Sequence, residues 1–269
     1  MKKILIIGMV FLCFACSTTQ KINIDKIKTN FKPEINLLVD SNVLIFNFTL
    51  IIKTDSTDDE YPLDIIKSLK VDILDDNKQV IDSSSINSLK ISGKPIKGYN
   101  IIYSGKVVFN NFKRKDFEKL SCKYTVKGDG WDITVTQKFN EMIYAETEPA
   151  LVIYPIIDNM DKISVDLGIF AVRKRIIEEY IPTSEDVRVE VLNSKNKPAY
   201  NSQTGKNYMQ VINPVYPESL GDSYVYRYSW DYRNNHGQRV PSGDYTIRLI
   251  IPAKPKPYIT EIKIPVEAK

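Results

Sequence analysis

From Val43 to Lys53 the chain alternates, with Leu44, Phe46, Phe48, Leu50 and Ile52 on one side and Asn47, Thr49 and Lys53 on the other. Successive side chains of an extended backbone point to opposite faces. A period of two, rich in β-branched and aromatic residues, therefore predicts a half-buried strand. The pattern recurs along the chain. Leu69, Val71 and Ile73 lead through the polar turn Asp75, Asp76, Asn77 and Lys78 to Val80 and Ile81, which reads as a hairpin. Lys106 to Phe112 continues it, and Ser121 to Phe139 is broken by Lys127, Gly128, Asp129 and Gly130, which suit a tight connection. Cys122, Tyr124 and Val126 share one face of their strand, so Cys122 reads as a small buried hydrophobe rather than a reactive thiol.

Composition agrees with an all-β chain. The apolar content leans on Ile and Val with 16 Tyr and 10 Phe, and the good helix formers make no helical stripe. At 269 residues the chain is long enough for one large or two ordinary cores. Around Ala145 to Pro149 the alternation stops, which sets a boundary between an N-terminal domain, 31–146, and a C-terminal domain, 150–269. Beyond it, Leu151 to Tyr154 and Ile163 to Ala171 read as strands, and Val187, Val189 and Val191 alternate with Arg188 and Glu190. Tyr224, Tyr226, Tyr228 and Trp230 line one face of a long strand; Tyr245 to Ile251 and Ile262 to Val266 complete the series. Short strands at this spacing predict two immunoglobulin-like β-sandwich domains in tandem.

The first residues carry a separate signal. Lys2 and Lys3, the apolar Ile4 to Phe14, and Ala15 before Cys16 resemble a bacterial lipoprotein signal peptide. The resemblance implies a leader over 1–15, lipidation of Cys16 and a polar tether over 16–30, which would hold the chain at the cell envelope as a lipid-anchored protein. Removing the leader lowers Lys+Arg from 37 to 35 against 33 Asp+Glu, a near-neutral +2. No basic face for nucleic acid is implied. With Cys16 lipidated, Cys122 has no disulfide partner, so packing alone must hold the domains.

Catalytic chemistry finds little purchase. The one histidine, His236, lies in the turn-forming run Asn234-Asn235-His236-Gly237, with no nucleophile elbow and nothing in sequence to orient it. One His and one buried Cys fall short of a zinc site. The acidic run Asp55, Asp58, Asp59 and Glu60 lacks the glycine and downstream glutamate of a calcium loop, and a solvated hairpin tip explains it equally. No cofactor, metal or enzymatic activity is expected.

One motif remains. Trp230-Asp231-Tyr232-Arg233-Asn234-Asn235-His236-Gly237-Gln238-Arg239-Val240-Pro241-Ser242-Gly243-Asp244-Tyr245 resembles the strand-loop-strand signature of the BsuPI-like family, the intracellular proteinase inhibitor type of immunoglobulin-like domain. Val187 to Ser194 followed by Pro198-Ala199-Tyr200 is similar to that family's earlier hairpin, so the resemblance covers Asp186 to Ile251. Trp230 supplies core mass, Gly237 and Gly243 permit turn geometry, Pro241 fixes φ and Tyr245 starts the returning strand. These five are expected to be structural. The polar tip, with Arg233, His236 and Arg239, is the expected partner contact. Two functions follow: a non-catalytic envelope lipoprotein that binds a protein partner, or, as the resemblance implies, an exported inhibitor whose partner is a protease.

Overall fold

The computed structural model describes residues 34–40, 42–53, 66–110, 112 and 114–267. The leader, Cys16, the tether and the acidic run from Asp55 to Glu60 lie outside them.

The first eight strands are β1 (Glu34–Asp40), β2 (Val43–Lys53), β3 (Ile66–Leu74), β4 (Val80–Ile86), β5 (Lys90–Ser92), β6 (Asn100–Phe109), β7 (Ser121–Gly128) and β8 (Trp131–Lys138). They form two antiparallel sheets, ordered β1-β2-β6-β5 and β4-β3-β7-β8. That is the immunoglobulin order A-B-E-D against C′-C-F-G. Their inner faces enclose Phe46, Phe48, Ile73, Tyr103 and Phe139, all but removed from solvent. Cys122 lies in the same core, and burial pushes its thiol up to about 12.

The remaining strands are β9 (Leu151–Met160), β10 (Val165–Arg173), β11 (Ile181–Thr183), β12 (Arg188–Asn193), β13 (Pro198–Asn201), β14 (Gln210–Asn213), β15 (Ser223–Trp230), β16 (Gly243–Ile251) and β17 (Tyr258–Val266). Sheets ordered β15-β10-β9 and β13-β12-β16-β17 repeat the same plan, and β11 with β14 makes a separate two-stranded ribbon. Trp230, Val191, Ile247, Leu249 and Ile264 sit in this second core. The predicted turns are in place: Asp129-Gly130 joins β7 to β8, with Gly130 at φ +72°. Asn193 closes the β12–β13 turn by accepting from the amides of Lys195 and Lys197.

Two expectations are corrected. Ile163 is not in a strand. The Asp161 carboxylate accepts from the Ile163 and Ser164 amides and folds them into a turn, so β10 starts at Val165. Nor is β2 half-buried, because Asn47 and Thr49 on its polar side are each only 1% exposed. The sheet carrying β2 and β6 is covered on its outer face by the sheet carrying β9 and β10, with Ile102, Ile156, Phe170 and Val172 buried between them. Asn47 donates to the Gly221 carbonyl at 3.1 Å and Lys106 pairs with Asp222 at 2.6 Å, both across this contact. Gly221 is doubly required there. Its φ is +73°, and a Cβ would lie 2.7 Å from the Ile45 side chain, so that side chain or the backbone would have to shift.

The registers also fix which loops meet. Leu151 pairs with Arg173, Ser223 with Val172, Arg188 with Ile250 and Tyr258 with Ile251, so the β10–β12, β13–β15 and β16–β17 connections gather at one pole of the second sandwich. Trp230 pairs with Val165 and Gly243 with Val266, which puts the β9–β10, β12–β13 and β15–β16 loops at the other.

Candidate functional site: two loop poles

The motif builds the second of these poles. Trp230 is buried, its Nε1 donates to the Arg233 carbonyl at 2.9 Å, and its ring packs between Tyr200, Tyr232 and Tyr245 at centroid separations of 5.3 to 6.2 Å. The Tyr245 hydroxyl donates to the Pro241 carbonyl at 2.8 Å and pins the returning strand to the loop. Gly237 and Gly243 take φ values of +76° and +149°, and at neither would a Cβ meet another atom, so backbone conformation rather than space selects glycine. Tyr232 also has positive φ, +58°, and is held there by its hydroxyl on the Asp161 carbonyl and by Arg239 stacked on its ring.

The tip is itself a built structure. The Asn234 side-chain oxygen accepts from the amides of His236 and Gln238, and Asn235 exchanges two hydrogen bonds with the backbone of Asn201 on β13. Arg239 donates to the Lys162 carbonyl at 2.9 Å, tying the tip to the β9–β10 turn. The three residues expected at the contact therefore separate. Arg239 is held by main chain and an aromatic face. Arg233 donates to the Gly237 carbonyl yet stands exposed, and the exposed His236 lines an open cleft of about 530 Å³ with Ser194, Lys195, Asn234, Asn235 and Ser242.

The opposite pole contains what sequence reasoning missed. Arg173, Lys174 and Arg175 follow directly on the apolar run of β10, and each ties down a different segment. Arg173, 3% exposed, donates from Nε to the Pro217 carbonyl at 2.7 Å and from Nη2 to the Val215 carbonyl at 2.6 Å. Its Nη1 meets Glu179, whose other oxygen accepts from the Tyr258 hydroxyl at 2.7 Å. Three connections thus converge on one buried ion pair. Lys174 reaches into the first sandwich, donating to the Asn47 side-chain oxygen and lying 5.8 Å from the centre of the Tyr144 ring. Burial lowers its ammonium to about 8, with Glu34 and Glu148 opposing that shift. Arg175 donates to the Glu148 carbonyl on the segment that joins the two sandwiches. The only sequence signal was a basic triplet after an apolar strand, and nothing in it distinguishes buried cations from solvated ones.

This pole exposes apolar side chains among its charged ones. Ile176, Ile177, Met209, Ile212, Tyr216 and Tyr224 are all exposed, Met209 at 70% and Ile212 at 80%.

No family model matches the chain, and no curated protein matches it. Among solved structures it is similar to the dimeric latent PorU from Porphyromonas gingivalis, at 14% identity and a TM-score of 0.39 over 92% of this chain and 21% of that one. The BSP domain of a biofilm-associated protein aligns with 87% of this chain and 29% of its own, at 13% identity and a TM-score of 0.28. The chain thus spans less than a third of either of these neighbours. At such identities and scores neither decides a function, and the immunoglobulin-like, all-β class rests on the strand registers described above.

Proposed function

We propose that the chain is a non-catalytic envelope lipoprotein, anchored through Cys16, that binds a protein partner at the motif pole of its second sandwich. The observation that carries this reading is the cleft beside His236, which mixes polar side chains such as Ser194, Asn235 and Ser242 with apolar ones such as Ala199 and Pro241. Its loops are fixed from inside by Asn234, Asn235 and Arg239, so docking would cost little ordering entropy, while Arg233 and His236 remain exposed. Neither His236, which stands in solvent at a loop tip, nor the buried, protonated Cys122 thiol is set up as a nucleophile or base.

The BsuPI-like resemblance of the same loop favours a second reading, an exported proteinase inhibitor. One experiment separates the two. Arg233 and His236 are replaced together by Ser, and the variant is compared with the parent in crosslinking capture from envelope membranes and in inhibition of a protease panel. Capture lost with no protease affected supports partner binding. Parent inhibition that the variant loses supports the inhibitor. Anchoring is tested separately: Cys16→Ser is expected to abolish uptake of labelled fatty acid, and continued acylation would overturn the assignment.

A further inference from the structure

The apolar pole has no role in partner binding as proposed above, yet it is the most conspicuous surface of the second sandwich. Exposed apolar residues scattered singly are ordinary on protein surfaces, whereas a cluster asks for a covering. Here the exposed apolar residues sit on two connections, and Arg173 with Glu179 ties those two to each other and to the start of β17. Ile176 and Ile177 come from the β10–β12 connection, and Met209, Ile212 and Tyr216 from the β13–β15 connection. A third connection, β16–β17, is Pro252-Ala253-Lys254-Pro255-Lys256-Pro257, with both lysines exposed.

The start of the described chain lies beside this pole. The Tyr154 hydroxyl donates to the Glu34 carboxylate at 2.8 Å, and Asn36 pairs in register with Asn47, which receives Lys174. Between Glu34 and Cys16 stand only residues 17–33, which could span at most about 60 Å even fully extended. An acyl chain on Cys16 would keep the molecule within that distance of a bilayer, and the choice of which end meets it falls to the surface itself.

We propose that the apolar pole is a membrane-contact surface: Ile176, Ile177, Met209 and Ile212 enter the headgroup region of the bilayer that holds the lipid anchor, with Lys254, Lys256 and Arg175 at the phosphate level. The contact rests on the anchoring of Cys16 proposed above. Glu178 and Glu218 are also exposed at this pole, so apolar insertion rather than net charge carries the contact, and its dependence on anionic lipid is modest. The consequence is directional. With one pole on the membrane, the cleft beside His236 points away from it.

The test fixes the anchor artificially, so that failure of biological acylation does not affect it. The chain from Cys16 onward is coupled through the Cys16 thiol to a maleimide phospholipid in phosphatidylcholine–phosphatidylglycerol vesicles, and hydrogen exchange is compared with the uncoupled chain. Amides of 174–180 and 206–216 are expected to slow by about tenfold on coupling, with 231–242 unchanged. Ile176→Asp with Ile212→Asp should abolish that protection. Ile163→Asp, an equally exposed site at the far pole, should leave it intact. Three results would overturn the proposal: no protection of the apolar loops on vesicles, equal protection at both poles, or protection that appears without vesicles as protein concentration rises. The last would assign the surface to a second copy of the chain.

Discussion

The two poles of the second sandwich are built in opposite ways. At the motif pole aromatic mass is inside and polar groups are spent on the loop's own backbone, so what faces solvent is a firm cleft of mixed polar and apolar lining. At the other pole an ion pair is inside. Arg173 and Glu179 are buried, three connections are strung on them, and the aliphatic side chains face out. Burying a charge is costly unless it is paired and hydrogen-bonded, and here Glu179 and the Pro217 and Val215 carbonyls supply that compensation for Arg173.

The largest effects should come from the buried supports of each pole. Arg173→Met leaves Glu179 buried without its cation and two carbonyls without a donor, at an expected cost of about 3 to 5 kcal/mol in chemical denaturation. Arg173→Met with Glu179→Gln should recover part of it, and a double variant as unstable as the sum of the singles would mean that the pair does not act as a unit. Trp230→Ala should cost a similar ~3 to 5 kcal/mol. If instead either loss were below about 1 kcal/mol, the corresponding pole would not be the rigid platform described.

Lys174 gives an intermediate effect with a definite sign. Its folded value of about 8 lies below the ordinary 10.5, so between these values the unfolded chain holds a proton that the folded chain has shed. Stability contributed by this site therefore rises with pH across that window, by up to about 3 kcal/mol. Lys174→Met should remove the rise. Comparing parent and variant cancels the tyrosines, several of which burial also shifts upward, including Tyr144 and Tyr232 to about 12. Parallel stability curves for the two proteins from pH 7 to 10 would show that Lys174 is not desolvated by the docked sandwiches.

The smallest effect is at the sheet-on-sheet contact. Thr49 and Ser104 are buried opposite one another, and neither hydroxyl has a hydrogen-bond partner among the described residues. Thr49→Val should be neutral or stabilising by about 1 kcal/mol in thermal melts, since it removes an unsatisfied hydroxyl. A loss larger than that would show the hydroxyl to be bonded when the sandwiches dock.

These differences also explain what could be read without coordinates. Leu44 to Ile52 announced β2 to the residue, because alternation records which face meets the core of the same sandwich. Turn residues announced themselves for the same reason of local geometry: Gly130 and Asn193 are required by the backbone they sit in. The motif's structural residues were legible from their types, since Trp230 and Tyr245 have few places to go but inward. The second covering of β2 was not legible, because Asn47 and Thr49 look the same in a sequence whether water or another sheet faces them. Arg173 was invisible on the same ground. Its burial depends on Val215, Pro217 and Glu179 arriving from distant positions. At the tip, Arg233, His236 and Arg239 looked equivalent, and only the fold shows that Arg239 is already engaged by Lys162 and Tyr232. Fragments cut near Pro149 test whether each sandwich folds alone, and their separation would expose Ile102 and Phe170.

The contrast between the poles comes to a single measurement on the motif pole. With Arg233 and His236 replaced by Ser, the melting temperature should stay within about 2 °C of the parent, because neither side chain supports the core, while crosslinked partner capture from envelope membranes should fall to background. Capture that persists unchanged at an unchanged melting temperature would contradict the account and move the contact surface elsewhere on the molecule.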